Sequence, residues 1–128
     1  MILTDQEVER YARQVVMPEI GEVGQKKLLD AKVLILGAGG LGAPVIAGLA
    51  GAGVGHLTVI DDDEVELTNL NRQIIHSMDK LEMNKAASAA LFSKALNPDI
   101  QVFTETGRFC EENADILIKS HDLAIDCT

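Results

Sequence analysis

Cysteine is scarce in this 128-residue chain: Cys110 and Cys127 stand 17 positions apart and form no CxxC pair. That excludes a disulfide framework and a four-ligand zinc site, and it fits a reducing, cytoplasmic setting. Positive charge is scarce too, with 11 Lys and Arg against 20 Asp and Glu and a formal net charge of −9. A surface built to track nucleic-acid phosphates or anionic lipid is thereby excluded, so any phosphate must be met by a local site. No basic flank and no apolar stretch of signal-peptide length precedes the first acids in Met1-Ile2-Leu3-Thr4-Asp5-Gln6-Glu7, which argues against secretion. Charge of either sign is missing from residues 33–60, 28 positions without Asp, Glu, Lys or Arg, the usual length of a membrane span. Eight of the 11 glycines and Pro44 fall inside that run and cut it into two short β-branched segments around a small-residue one. It therefore reads as buried strand, helix and strand.

What is present suffices for one folded domain over residues 1–128, since 47% of them are apolar. Thr4 with Glu7 makes a capping box, and Val8, Tyr11, Ala12 and Val15 recur at amphipathic spacing, which predicts one helix carrying Arg10 and Arg13 off its apolar face. After Pro18 a second helix is expected over 22–29. Strands are expected over 33–36, 56–60, 100–106 and 122–126. Helices are expected over 41–52, from about 83 to just before Asn97-Pro98, and over 114–119. The segment 41–52 is apolar on every side, so its helix is expected to be buried all round. Strands alternating with helices define an α/β, doubly wound fold with a mainly parallel sheet preceded by two N-terminal helices. By analogy with such folds the expected strand order is 3-2-1-4.

Chemistry concentrates at the end of the first strand. Gly37-Ala38-Gly39-Gly40-Leu41-Gly42 follows a strand and opens a helix, the context a GxGxxG pattern needs. There Gly37 permits the tight turn, Gly39 and Gly40 let backbone amides approach a phosphate, and Gly42 lets the helix lie against the sheet. Asp61 ends the second strand, placed to accept hydrogen bonds from ribose hydroxyls. Five acids fall within 61–66, so a ribose 2′-phosphate is disfavoured there, while Asp62, Glu64 and Glu66 read as solvated loop residues. Asn69, Arg72 and Lys85 place donors and positive charge downstream, as a triphosphate requires. For each taken alone, a solvated surface position explains it equally well.

Taken together, Arg10-Tyr11-Ala12-Arg13-Gln14, Gly24-Gln25-Lys26-Lys27-Leu28, the 37–42 turn, Asp61-Asp62-Asp63, Thr68-Asn69-Leu70-Asn71-Arg72-Gln73, Lys85 and Asp126-Cys127-Thr128 follow one pattern in order. Over essentially its whole length the sequence resembles the ThiF/MoeB/HesA family, the ubiquitin-activating-like adenylyltransferases. The resemblance implies a Rossmann-like nucleotide-binding domain. It implies that ATP is bound and that the C-terminal glycine carboxylate of a ubiquitin-like or sulfur-carrier protein attacks the α-phosphate, feeding sulfur transfer in thiamin, molybdopterin or related pathways. On this pattern Gly40 meets the phosphates, Asp61 the ribose, and Asn69, Arg72 and Lys85 the triphosphate, within a binding set that includes Gly37, Gly39, Gly42, Asp63, Thr68, Leu70 and Asn71. Arg13 matches an arginine that reaches into the partner subunit's site, so a homodimer with composite sites is implied, with Arg13, Arg72 and Lys85 as the catalytic set. Magnesium is implied too, but the Asp that helps hold it falls beyond Thr128. The chain is accordingly expected to be a family domain truncated at its C-terminal end, weak or inactive alone.

Two other readings remain from the residues themselves. The glycine turn and Asp61 equally suit an NAD-dependent dehydrogenase domain, which needs neither Arg72 nor Lys85. A four-stranded sheet ending at Thr128 would leave an edge strand and an apolar face exposed, suiting a non-catalytic dimerising domain. Cys110 and Cys127 read as buried or semi-buried small residues, and His56, His76 and His121 as surface or strand-end residues without ligand spacing.

Overall fold

The computed structural model describes residues 2–128. Four strands, β1 (Lys32–Leu36), β2 (His56–Ile60), β3 (Gln101–Glu105) and β4 (Leu123–Asp126), form one all-parallel sheet in the order β3-β2-β1-β4, the order expected. Leu34 pairs with Thr58 on one side and Ala124 on the other, and Thr58 pairs with Phe103. The helices preceding the sheet are α1 (Asp5–Arg10), α2 (Ala12–Val15) and α3 (Gly21–Asp30), and the crossovers are α4 (Gly42–Ala52), α5 (Lys85–Leu96) and α6 (Glu111–Lys119). Right-handed crossovers put α4 and α5 on one face of the sheet and α6, which runs the other way from β3 to β4, on the opposite face.

Strand alternation agrees with that division. Val33, Ile35, Leu57 and Val59 join Ile46, Ala50, Ala86 and Ala89 in the main core, while Leu34, Leu36 and Ile60 pack under Phe109 and Leu117. Successive strands are therefore added to opposite sides of β1, β2 and β3 on one and β4 on the other, and the crevice at the carboxyl ends of β1 and β4 is where such sheets bind ligands.

Three expectations need correction. The single N-terminal helix is two, because the backbone breaks at Tyr11 (φ −104°, ψ 19°). Tyr11 is buried there, its hydroxyl accepting from Asn97 Nδ2 at 2.8 Å and its ring lying where a Cβ on Gly53 would have to be. A long-range pocket overrides the local period. Helix α4 is not buried all round: Gly42, Ala43, Ile46 and Ala50 face inward, while Leu41 is 64% exposed and Gly48 and Gly51 face outward. Only one stripe of so narrow a helix reaches the sheet and α5. Cys110 is exposed, since it precedes α6 and its N–H is bonded to Asn113 Oδ1, whereas Cys127 is buried.

The carboxyl end of α4 is held by polar side chains. Gln14 and the fully buried Gln25 both donate to the Ala52 carbonyl at 3.0 Å, and Asn97 donates to that of Ala50, so these two acceptors at the end of the helix are satisfied. The turn into β2 is equally tight: a Cβ on Gly55 would lie 1.7 Å from the Leu29 carbonyl oxygen. Gly55→Ala is therefore expected to lower stability by about 3 kcal/mol or more, read from the midpoint of urea unfolding; a midpoint equal to that of the parent chain would contradict this packing.

Candidate functional site: a cleft at the carboxyl ends of the strands

The cleft begins where β1 stops. Gly37 takes φ +103°, a conformation that favours glycine, and its N–H bonds to the Ile60 carbonyl at 2.9 Å. A Cβ there would lie 2.8 Å from the Cys127 carbonyl oxygen, and a Cβ on Gly42 would lie 2.0 Å from that of Gly37. Only glycine fits at either position, and the turn is thereby drawn tightly against β4 and α4.

Asp61 closes the turn from the side. Its Oδ2 accepts the Ala38 N–H and its Oδ1 accepts the Asp63 N–H, both at 2.8 Å. Each carboxylate oxygen keeps a second lone pair for an incoming hydroxyl. Asn84, at the start of α5, donates to the Asp61 carbonyl and accepts from Ala87 N–H, so α5 opens beside the same acid.

Lys85, the first residue of α5, is buried, yet its Nζ is 3.9 Å from Asp63 Oδ2, a loose pairing for an enclosed ammonium. Arg72 is exposed, its guanidinium held by the Thr68 carbonyl and Asn71 Oδ1 and lying beside Gly40. Together with Gly37, Gly39, Gly40, Asp61 and Asp63, these two cations line a cleft of about 920 Å³, a size suited to a nucleotide-sized ligand. Leu36, Ile60 and Phe109 supply its apolar wall, and Arg108 pairs with Asp62 at 3.1 Å along its rim.

Other expected site residues lie elsewhere. Asn69 is buried and its Oδ1 accepts the Glu66 N–H, so that oxygen is turned into its own turn, Leu67–Asn69. Thr68, Leu70 and Asn71 belong to the scaffold around Arg72 and do not line the cleft, and Gly42 lies behind it. Arg13 is exposed on α2 and away from the cleft of its own chain. Asp126 does line the cleft, but its Oδ1 accepts from Thr128 N–H and Oγ1–H, and these bonds hold its carboxyl below the usual range. Among the described residues no three His, Cys, Asp or Glu side chains come together as metal ligands.

His76, expected as a surface or strand-end residue, is neither. It is buried behind the turn, with Nε2 2.7 Å from the Ala38 carbonyl and Nδ1 2.6 Å from Ser88 Oγ. A carbonyl only accepts, so the proton is on Nε2 and Nδ1 accepts from the serine. Burial pushes its pKa below the ordinary value of 6.5, the Ala38 hydrogen bond opposes that, and Lys85 and Lys80 add to it. A lone histidine after Ile74-Ile75 carries no spacing signal that would have found this role.

A sheet that reverses at β1, with a glycine turn and an acid at the reversal, defines a nucleotide-binding α/β domain of the doubly wound class. Residues 11–128 match the ThiF family, and the chain belongs to it. It is 44% identical over 126 residues to "Adenylyltransferase and sulfurtransferase MOCS3" of Culex quinquefasciatus, covering 98% of this chain and 29% of that protein. It is 43% identical over 122 residues to "SAMP-activating enzyme E1" of Haloferax volcanii, covering 95% of this chain and 45% of that one. Among solved structures, E. coli tRNA N6-threonylcarbamoyladenosine dehydratase, TcdA, in complex with ATP matches with a TM-score of 0.90 and 28% identity, over all of this chain and 52% of that one. The chain thus spans less than half the length of these two curated relatives.

The histidine makes stability depend on pH in a fixed direction. Its folded pKa lies below the unfolded one, so below about pH 6.5 the unfolded chain takes up a proton that the folded chain refuses. Stability from this group is complete above that pH and is lost as pH falls from 6.5 toward the folded value, by at most about 1.4 kcal/mol per pH unit. Urea unfolding at pH 7 and pH 5 should show a smaller difference for His76→Gln than for the parent; equal differences would contradict the assignment.

Proposed function

We propose that this chain is the ATP-binding part of an enzyme that adenylylates the C-terminal glycine of a ubiquitin-like or sulfur-carrier protein. The observation that carries the reading is that Arg72 and Lys85 share one cleft with the glycine turn and Asp61. A dinucleotide needs no such pair of cations beyond the turn, whereas a triphosphate does. Lys85 adds weight, since a buried ammonium 3.9 Å from its nearest carboxylate gains most from an anionic ligand. Support also comes from relatives named as an adenylyltransferase and an activating enzyme, and from a structural neighbour solved with ATP.

On this reading the ribose hydroxyls bond to Asp61 and the phosphates lie on the Gly39 and Gly40 backbone. A carrier carboxylate oxygen attacks the α-phosphorus, the bond to the α,β-bridging oxygen breaks, and pyrophosphate leaves with its electron pair. Arg72 and Lys85 neutralise the charge that gathers on the leaving group as that bond breaks. Gly37 and Gly42 shape the turn, Asp63 lies 3.9 Å from Lys85 and donates its N–H to Asp61, and Thr68 and Asn71 hold Arg72. Asn69 and Leu70 act through the fold of that scaffold.

Arg13, exposed and away from its own cleft, is free to enter that of a second copy, so the working unit is proposed as a cytoplasmic homodimer with composite sites. Magnesium accompanies ATP in this proposal, but the described residues do not assemble a site for it, and no step above passes through the metal. The products serve sulfur transfer in thiamin, molybdopterin or related pathways.

Calorimetric titration with ATP and, separately, NAD tests the reading. ATP should bind in preference, and Arg72→Ala should weaken it about tenfold or more, the effect of losing a charged hydrogen-bond donor. NAD binding without ATP competition would overturn it.

A further inference from the structure

The mechanism above leaves one enclosed group unused, the His76 imidazole directly behind the glycine turn. Among the described residues no peptide bond is cis, and in a trans peptide the carbonyl and the following N–H point in opposite directions. The Ala38 carbonyl is directed inward at His76 Nε2 at 2.7 Å. The Gly39 N–H belongs to the same peptide and must therefore point outward, at the cleft that Gly39 lines. Among the described residues neither Gly39 N–H nor Gly40 N–H has an acceptor in the protein. The preceding peptide is fixed by a different group, with Ala38 N–H on Asp61 Oδ2. One peptide is thus set by a carboxylate and the next by an imidazole.

Ser88 determines which face the imidazole presents. Its hydroxyl, on the buried side of α5, lies 2.6 Å from Nδ1 and donates to it, which leaves the proton on Nε2, where the carbonyl needs it. With the opposite tautomer, two lone pairs would face each other at Ala38 and the turn would lose its inner anchor.

We propose that His76 is a positioning residue for the phosphate site: supported by Ser88, it holds the Ala38 carbonyl and thereby aims the Gly39 amide at a bound phosphate. This rests on the cleft being a triphosphate site. His76→Leu keeps bulk and removes the donor, whereas His76→Gln places an amide N–H near the position of Nε2.

The test compares ATP with adenosine, which has the same base and ribose but no phosphate, by calorimetry on the whole chain. His76→Leu should weaken ATP about tenfold and leave adenosine within about twofold, and His76→Gln should recover most of the loss. Imidazole ¹⁵N shifts showing the proton on Nε2 in the parent should accompany it. Equal loss of ATP and adenosine would mean a merely structural role, and unchanged ATP binding in folded His76→Leu would also overturn the proposal. Should His76→Leu fail to fold, Ser88→Ala decides: weaker ATP binding with adenosine unchanged supports it, and unchanged ATP binding or equal loss of both refutes it. A parent chain that binds adenosine and ATP equally well removes the triphosphate reading itself, an outcome distinct from the others.

Discussion

The Ala38 residue, held at its N–H by Asp61 and at its carbonyl by His76, is the point on which the cleft depends. A phosphate site made of backbone amides needs those amides unpaired and outward-facing, yet a glycine-rich turn is free to adopt many other conformations. Two inward anchors remove that freedom without occupying the amides. They come from opposite ends of a 15-residue separation in the chain, the end of β2 and the loop before α5, while β4 presses on Gly37 from a third direction. Each of these elements is placed by the sheet, so the geometry of the turn follows from the strand order.

The charge distribution follows the same economy. A chain with a net charge of −9 cannot attract a polyanion by its overall field. Its cations are instead held locally, Arg72 by the Thr68 carbonyl and Asn71 side chain and Lys85 by enclosure at the start of α5. Acids line the same cleft, Asp61 bonded to the Ala38 N–H of the turn, Asp63 3.9 Å from Lys85 and Asp62 tied to Arg108. A ligand that carries both hydroxyls and phosphates matches that mixed lining.

Much of this was legible in the residues. Nearly every element followed from β-branched runs separated by glycine, proline and capping residues, because those signals are local, whereas the strand order came from analogy with doubly wound folds. The break at Tyr11 was not legible, since it answers to Asn97 and to the missing side chain of Gly53, both distant in sequence. Helix α4 misled in the opposite way: its composition records how closely it approaches the sheet on one stripe, and says nothing of its outer side. In the cleft, Gly37, Gly40, Asp61, Arg72 and Lys85 could be named from spacing and family resemblance. His76, Ser88 and Arg108 could not, because a buried imidazole, a helix serine and a rim arginine take their meaning only from what the fold brings beside them.

The cleft is proposed to bind a nucleotide with its phosphates on the turn and its ribose on Asp61. A crystal structure of the chain with a non-hydrolysable ATP analogue tests it most directly. Phosphate oxygens are expected within hydrogen-bond distance of the Gly39 and Gly40 amides, between Arg72 and Lys85, with ribose hydroxyls on the Asp61 carboxylate. An analogue bound outside the cleft, or seated with its phosphates toward residues 61–63 and its ribose toward Arg72, would contradict it.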